Sequence, residues 1–205
     1  MNGPNFWQRI RTELQAANRW TPDVMIAGGC IRDWMLGLEP KDIDVFMLLP
    51  EGEAPRLPEG NGWEVDPEQP QAPENQGVPG YGGVTRITSI FNWRKQGQPV
   101  QIIQLQRDTN LTDYVWGFDI DVCMGRWDQN GLNIPNSMAR DLEDKVIHTN
   151  VESENTYQRA DRFLRKVSQV EAGWRIAGAA ARFGPRQNPV LDWAVADEMP
   201  MHELR

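Results

Sequence analysis

Cysteine and histidine are nearly absent from this 205-residue chain, which carries two of each. Cys30 and Cys123 are too few for a disulfide framework or a zinc quartet, and with no neighbouring Lys or His to activate them both read as buried thiols. His148 and His202 lie too far apart in sequence to suggest a shared centre, and His148 reads as a strand-edge residue. Long apolar runs are also missing. No stretch reaches the about 18 apolar residues of a membrane span, so no membrane partner is expected. The N-terminus, MNGPNFWQRIRTEL, has no apolar signal core, so a cytoplasmic location is expected rather than secretion. Positive charge is in deficit: 21 Lys and Arg stand against 29 Asp and Glu, for a net charge of −8. That excludes a protein that coats nucleic acid over its whole surface, while leaving room for a local basic face. With 40% hydrophobic and 24% charged residues, the rest is the composition of an ordinary globular protein. Its length suits one domain or one domain with a small appendage.

The chain opens with Phe6, Trp7, Ile10, Leu14 and Ala17 at helical spacing, with Pro4 in a first-turn position and Thr21-Pro22 as the break. VMIA (24–27) reads as a short strand, Gly28-Gly29 as a turn, CIRDWML as a helix closed by Gly37, and DIDVFMLL as a central strand. Residues 50–83 hold seven prolines, seven glycines and seven acids against one arginine, which predicts a long acidic loop of low structural content. GVTRITSIFNW and PVQIIQLQ predict a hairpin turning at Gly97. TNLTDYVWG predicts a short helix capped by Asn110 or Thr112. The alternation in FDIDVCMGRW predicts a strand with Asp119, Asp121 and Cys123 on one face, and KVIHT predicts another. From about Asn155 to Ala181 one or two helices are expected, followed by an irregular tail through Pro185, Pro189 and Pro200. The expected fold class is α/β (α+β), a small mixed sheet flanked by helices. Residues 1–150 would form the catalytic domain and 151–205 a helical appendage with an irregular tail.

Chemistry concentrates around Asp42-Ile43-Asp44. On a strand, residues i and i+2 share a face, so both carboxylates point the same way. Two like charges so close are costly unless something positive sits between them, and a hard divalent cation such as Mg²⁺ is the usual answer. The segment before them matches that need. Gly28-Gly29 lies between a strand and a helix start, where backbone N–H groups favour phosphate and the missing Cβ atoms allow close approach. Arg32 falls in the first helical turn, within reach of phosphate or carboxylate. A phosphate cradle and a metal dyad on adjacent elements make a nucleotide site.

The run GGCIRDWMLGLEPKDIDVF resembles the head-domain signature of the DNA polymerase β-type nucleotidyltransferases. It is most similar to the branch of bacterial poly(A) polymerases and CCA-adding tRNA nucleotidyltransferases, whose pattern is GG-x-x-RD-x-x-LG, a short gap and D-x-D. Weaker resemblance continues through FDIDVC (an R-R-D-F-T-like segment), ARDLEDKVIHT, and RADRFLRKV followed by GWRIA, covering residues 24–180. The resemblance implies two-metal transfer of a nucleotide, with Mg²⁺ or Mn²⁺ bound by Asp42 and Asp44. Gly28 and Gly29 would cradle the triphosphate of an NTP, ATP or CTP. Arg32 would face the nucleotide, and Asp33 would serve structurally. Lys41 would either contact phosphate or remain a solvated surface lysine.

The departures matter as much. The fold usually supplies a third carboxylate from the strand after the dyad, where VQIIQLQ has only Gln101, Gln104 and Gln106. Asp119 is the expected substitute as catalytic residue and metal ligand, with Asp121 or no third ligand as alternatives. The arginine that precedes the corresponding Asp in relatives is Phe118 here. Farther on, Arg159, Arg162 and Lys166 share one helical face within a basic segment that also holds Arg165, Arg175, Arg182 and Arg186. This stripe is expected either to meet triphosphate or the acceptor strand of tRNA or another RNA, or to be a solvated face. The family's E-D-x-x-R nucleotide-selecting motif is not recognisable, so selective addition of C, C and A is not expected. Of the nine tryptophans, most should be core, with Trp93 and Trp116 as candidates for stacking on a base. The favoured function is therefore transfer of NMP from an NTP to a hydroxyl, on RNA. The alternatives are modification of a protein or small molecule, synthesis of cyclic dinucleotides or oligonucleotides, and a catalytically silent nucleotide- or partner-binding protein.

Overall fold

A computed structural model describes residues 3–18, 23–49, 53–67 and 86–184. Helix α1 (Pro4–Ala17) begins with Pro4 in its first turn and buries Trp7, Ile10 and Leu14. Strand β1 (Val24–Ala27) leads through Gly28 into helix α2 (Gly29–Met35), and strand β2 (Ile43–Leu48) follows. Strands β4 (Ile87–Lys95) and β5 (Gln98–Leu105) form the expected hairpin. Its two turn residues, Gln96 and Gly97, both have positive φ (51° and 80°), the backbone twist that a two-residue hairpin loop needs. Helix α3 (Leu111–Trp116) is capped by Asn110, whose side chain accepts from the Thr112 and Asp113 N–H groups.

Seven strands make one sheet in the order β3-β4-β5-β2-β1-β6-β7, mostly antiparallel, with β2 and β5 parallel. Alternation along the central strands sends side chains to two cores. Val24, Ile26, Ile43, Val45, Met47 and Ile102 pack beneath α1 and α2, while Met25, Ala27, Phe46, Ile103 and Leu105 pack against Tyr114 and Val115 of α3. A third cluster joins Ile120, Val122 and Ile147 to Ala160, Phe163 and Trp174. Among the described residues no helix is long and apolar enough to cross a membrane.

Three segments differ from the sequence expectation. Within the acidic stretch, strand β3 (Trp63–Val65) pairs with β4, and Trp63 packs edge-on to Trp93 while donating from Nε1 to Glu13. A tryptophan able to join the core is outweighed when composition is averaged over so many Pro, Gly and acidic residues; positions 68–85 lie outside the described residues. The segment expected as a strand around FDIDVC is instead a single bridge at Ile120 followed by a 3-10 turn, Asp121–Cys123. Local hydrogen bonds, Cys123 N–H to Ile120 O and Met124 N–H to Asp121 O, take the backbone out of any ladder. The strand beyond it, β6 (Arg126–Asp128), turns into β7 (Gly131–Asn133), with Asp128 accepting from the Asn130 N–H at the turn.

After helix α4 (Asn136–Asp144) and strand β8 (Val146–Thr149), helix α5 (Glu154–Ser168) begins at Ser153, which caps the Thr156 N–H. Residues 175–178, expected as helix, form strand β9 (Arg175–Gly178), parallel to β8. Four residues are too few to show alternation, and a Cβ at Gly178 would lie 2.4 Å from the Thr149 carbonyl oxygen, so only glycine lets the two backbones meet. A short 3-10 turn, Ala181–Phe183, ends the described part; the expected irregular tail, Arg186 and His202 fall outside it.

Candidate active site

The β1–α2 junction is built around a glycine. Gly28 adopts φ +94°, which L side chains rarely adopt, and its N–H donates to the Gly125 carbonyl at 3.2 Å. Ala27 stands opposite Asp44 in the β1–β2 register. The Asp44 carboxylate therefore lies directly against the glycine: a Cβ on Gly28 would come within 3.2 Å of Asp44 Oδ2. Asp42 and Asp44 both line a cleft of about 620 Å³, together with Gly29, Arg32, Asp33, Lys41, Gln101 and side chains of α5. Burial, reinforced by the charge of Asp42, pushes the Asp44 carboxyl up to about 7, against partial relief from Arg159 and Lys41. Burial likewise raises Asp42, with Lys41 pulling the other way. Two acids held together carry an electrostatic cost that a neighbouring positive charge would relieve.

Gln101 stands opposite Asp44 on the parallel neighbour strand, and its side-chain amide donates to Asn92 Oδ1 at 3.1 Å. A neutral amide pair thus occupies the position from which a third carboxylate was sought. The expected substitute is not brought there. Asp119, 5% exposed, accepts two hydrogen bonds from Arg159 Nη1, both at 2.9 Å, and a third from Thr156 Oγ1 at 2.9 Å. Among the described residues no group of three His, Cys, Asp or Glu side chains is arranged to hold a metal ion. Asp119, expected as a metal ligand, is engaged by Arg159 and Thr156 and is not among the residues lining the cleft. Asp121 accepts from the side-chain amide of Asn150, and burial raises its pKa.

The basic residues divide by partner. Arg32 donates from Nε and Nη2 to Asp33 Oδ1 (2.8 and 2.6 Å) and from Nη1 to Cys123 Sγ at 3.2 Å, and its guanidinium lies 3.6 Å over the Phe163 ring. Asp33 also accepts from Lys166 Nζ at 2.7 Å, and the same ammonium donates to the Glu39 carbonyl, also at 2.7 Å. Asp33 thereby ties α5 to α2. Arg159 and Lys166, expected as part of a free stripe, are instead engaged with Asp119 and Asp33. Arg162, exposed on the same helix face, has no hydrogen-bond or ion-pair partner among the described residues, and with exposed Lys41 it lines the cleft. Gln101, Asn155 and Phe163 complete the lining, and sequence reasoning gave them no role there. No local motif marks them: each is set in place by elements distant in sequence.

The other candidates settle differently. Trp93 is buried in the core, whereas Trp116 is 52% exposed. His148 pairs through Nδ1 with Asp141 at 2.7 Å, away from the cleft lining. Cys30 and Cys123 are both buried beside the cleft, and desolvation raises both thiols.

The fold is similar to that of solved nucleotidyltransferases. The solved structures it resembles include tRNA-processing and CCA-adding enzymes. A tRNA-processing enzyme in an apo form shares 18% identity at a TM-score of 0.55, over 88% of this chain and 46% of that one. A Thermotoga maritima CCA-adding enzyme complexed with tRNA gives 16% identity and a TM-score of 0.51 over 88% and 41%. A CCA-adding enzyme with ATP gives 18% identity and a TM-score of 0.50 over the same shares, 88% and 41%. The chain thus spans less than half the length of each of these structures. No family model and no curated protein matches it.

Proposed function

We propose that the chain is a metal-dependent nucleotidyltransferase that moves NMP from an NTP to a hydroxyl group, with RNA as the acceptor. The observation that carries this reading is the Asp44 carboxylate seated against Gly28, with Asp42 beside it in one cleft. The donor set suits a divalent cation: two hard carboxylate oxygens meet in a partly dry cleft, and the acid of Asp44 is raised to about 7 for want of a compensating charge. Asp42 and Asp44 would hold the cation, which when bound supplies Lewis-acid stabilisation of phosphate charge.

The remaining work falls to this chain's own groups. Gly28 and Gly29 carry no side chains of their own, which would let a triphosphate approach the backbone at the start of α2. Arg162 and Lys41, exposed at the lining, are placed to neutralise phosphate oxygens as the bond to the leaving pyrophosphate lengthens. Arg32 and Arg159 shape the cleft wall through their bonds to Asp33 and Asp119. The likeness to CCA-adding and tRNA-processing enzymes supports an NTP as donor and RNA as acceptor. A second reading, nucleotide binding without transfer, draws on Gln101 in place of a third carboxylate.

Incubating the full chain with each α-labelled NTP and Mg²⁺, first with total tRNA and then with cell lysate, tests the proposal. Label on RNA that disappears with Asp42→Asn or Asp44→Asn supports it. Label on protein bands alone overturns the RNA acceptor, and no transfer with retained NTP binding favours the silent reading.

A further inference from the structure

We propose that Trp116 and Arg126 form a stacking subsite beside the cleft for an unpaired base of the acceptor nucleic acid. The inference deepens the nucleotidyl-transfer reading and takes its acceptor from it, but the binding it describes can be measured alone.

Trp116 ends α3 and is 52% exposed; among the described residues every other tryptophan is buried or partly buried. A side chain that large, left in water where six others are covered at least in part, is the natural mate for an apolar planar surface. The Arg126 guanidinium carbon lies 5.5 Å from the ring centroid. Arg126 itself is only 9% exposed, so it backs the ring from the protein side and leaves the solvent side open. Its Nε donates to Asp128 Oδ2 at a long 3.3 Å, and its Nη1 is buried with no hydrogen-bond partner. A buried guanidinium donor left unmade is costly. The guanidinium beside the ring is nevertheless a positive charge, and it complements the phosphates flanking a stacked nucleotide.

The position fits a polymer better than a mononucleotide. Neither residue lines the cleft that holds Asp42 and Asp44. Their chain neighbours reach the Gly28 turn, however: Ala27 pairs with Arg126 across β1–β6, Gly28 N–H bonds to Gly125 O, and Phe118, two residues after Trp116, comes within 3.9 Å of a Cβ built on Gly28. A strand whose terminal hydroxyl sits in the cleft would run its next bases past this edge. Stacking on an indole reads no particular base, as suits an acceptor held by position.

The test is anisotropy of a short fluorescein-labelled single-stranded RNA with the full chain at low salt, alongside thermal stabilisation by ATP and Mg²⁺. Trp116→Ala should weaken RNA binding roughly tenfold, Trp116→Phe should retain most of it, and ATP stabilisation should be unchanged. Arg126→Gln should weaken RNA binding and flatten its salt dependence. Wild-type RNA affinity in Trp116→Ala would overturn the proposal and leave the ring as a protein-docking surface; so would a wild-type chain that binds no RNA. Equal loss of RNA and ATP binding in Trp116→Ala would overturn it too, assigning the ring to the nucleotide site. If RNA binding falls as expected while no variant, nor the wild type, responds to ATP, the subsite stands and the nucleotidyl-transfer reading fails instead.

Discussion

Replacing Asp44 by asparagine should make the ligand-free protein more stable at alkaline pH and leave it nearly unchanged in mild acid. In the folded chain the Asp44 carboxyl is raised from 3.8 to about 7, first by burial and then by Asp42. Between those two values the native state keeps a proton that the unfolded chain has released. The native state therefore binds more protons, and stability must fall as pH rises through this window. The ceiling on that loss, about 3 units at about 1.4 kcal/mol each, is on the order of 4 kcal/mol. Solvent in the open cleft screens part of the charge, leaving about 2 kcal/mol, or roughly 4–8 °C in Tm for a chain of this size. A side-chain amide has no proton to lose in this range, so the variant escapes the penalty. Differential scanning calorimetry of both proteins without divalent ions, from pH 4.5 to pH 8.5, reads it directly. The Tm difference should open with a midpoint between pH 4 and pH 7, favour the variant at the alkaline end, and close again when Mg²⁺ stabilises the wild type alone. A pH-independent difference, or a variant less stable at pH 8.5, would refute the argument that Asp42 and Asp44 are held together at a cost.

Three further outcomes follow from the same geometry. Gly28→Ala forces an L residue to φ +94° with its Cβ 3.2 Å from Asp44 Oδ2; it should cost about 1–3 kcal/mol in urea unfolding and abolish ATP-dependent stabilisation. Arg159→Met leaves buried Asp119 with Thr156 alone and should destabilise by about 2 kcal/mol, less than a fully buried pair because Arg159 is 24% exposed; Arg159→Lys should recover part of the loss in the same denaturation. Asp119→Asn should lower stability while keeping the Mg²⁺-dependent shift of the wild type, and loss of that shift would return Asp119 to the metal site.

The parts of the site written close together in sequence were legible in it. The diglycine, the helix after it and the D-x-D strand fall within 19 residues, and the register between Ala27 and Asp44 brings them together. Contacts between distant segments were not. Nothing local says that Asp119 will meet Arg159 or that Lys166 will reach back to Asp33, since each pairing depends on where α5 docks. The alternation in FDIDVC satisfied a strand pattern, yet an Asp-anchored 3-10 turn won, with Thr149 bridging Ile120 and Asn150 bonding Asp121 where the turn begins. Strands β3 and β9 escaped notice for a related reason: each is short, and each exists because a partner strand is already in place.

The central claim is that Asp42 and Asp44 hold a divalent cation under a triphosphate at Gly28. Calorimetric titration of ATP into the full chain, with Mg²⁺ and with EDTA, for the wild type and the Asp42→Asn/Asp44→Asn double variant, addresses it most directly. The account predicts binding by the wild type that requires Mg²⁺ and is absent from the double variant. Equal ATP affinity in all four titrations, or none in any, would contradict it.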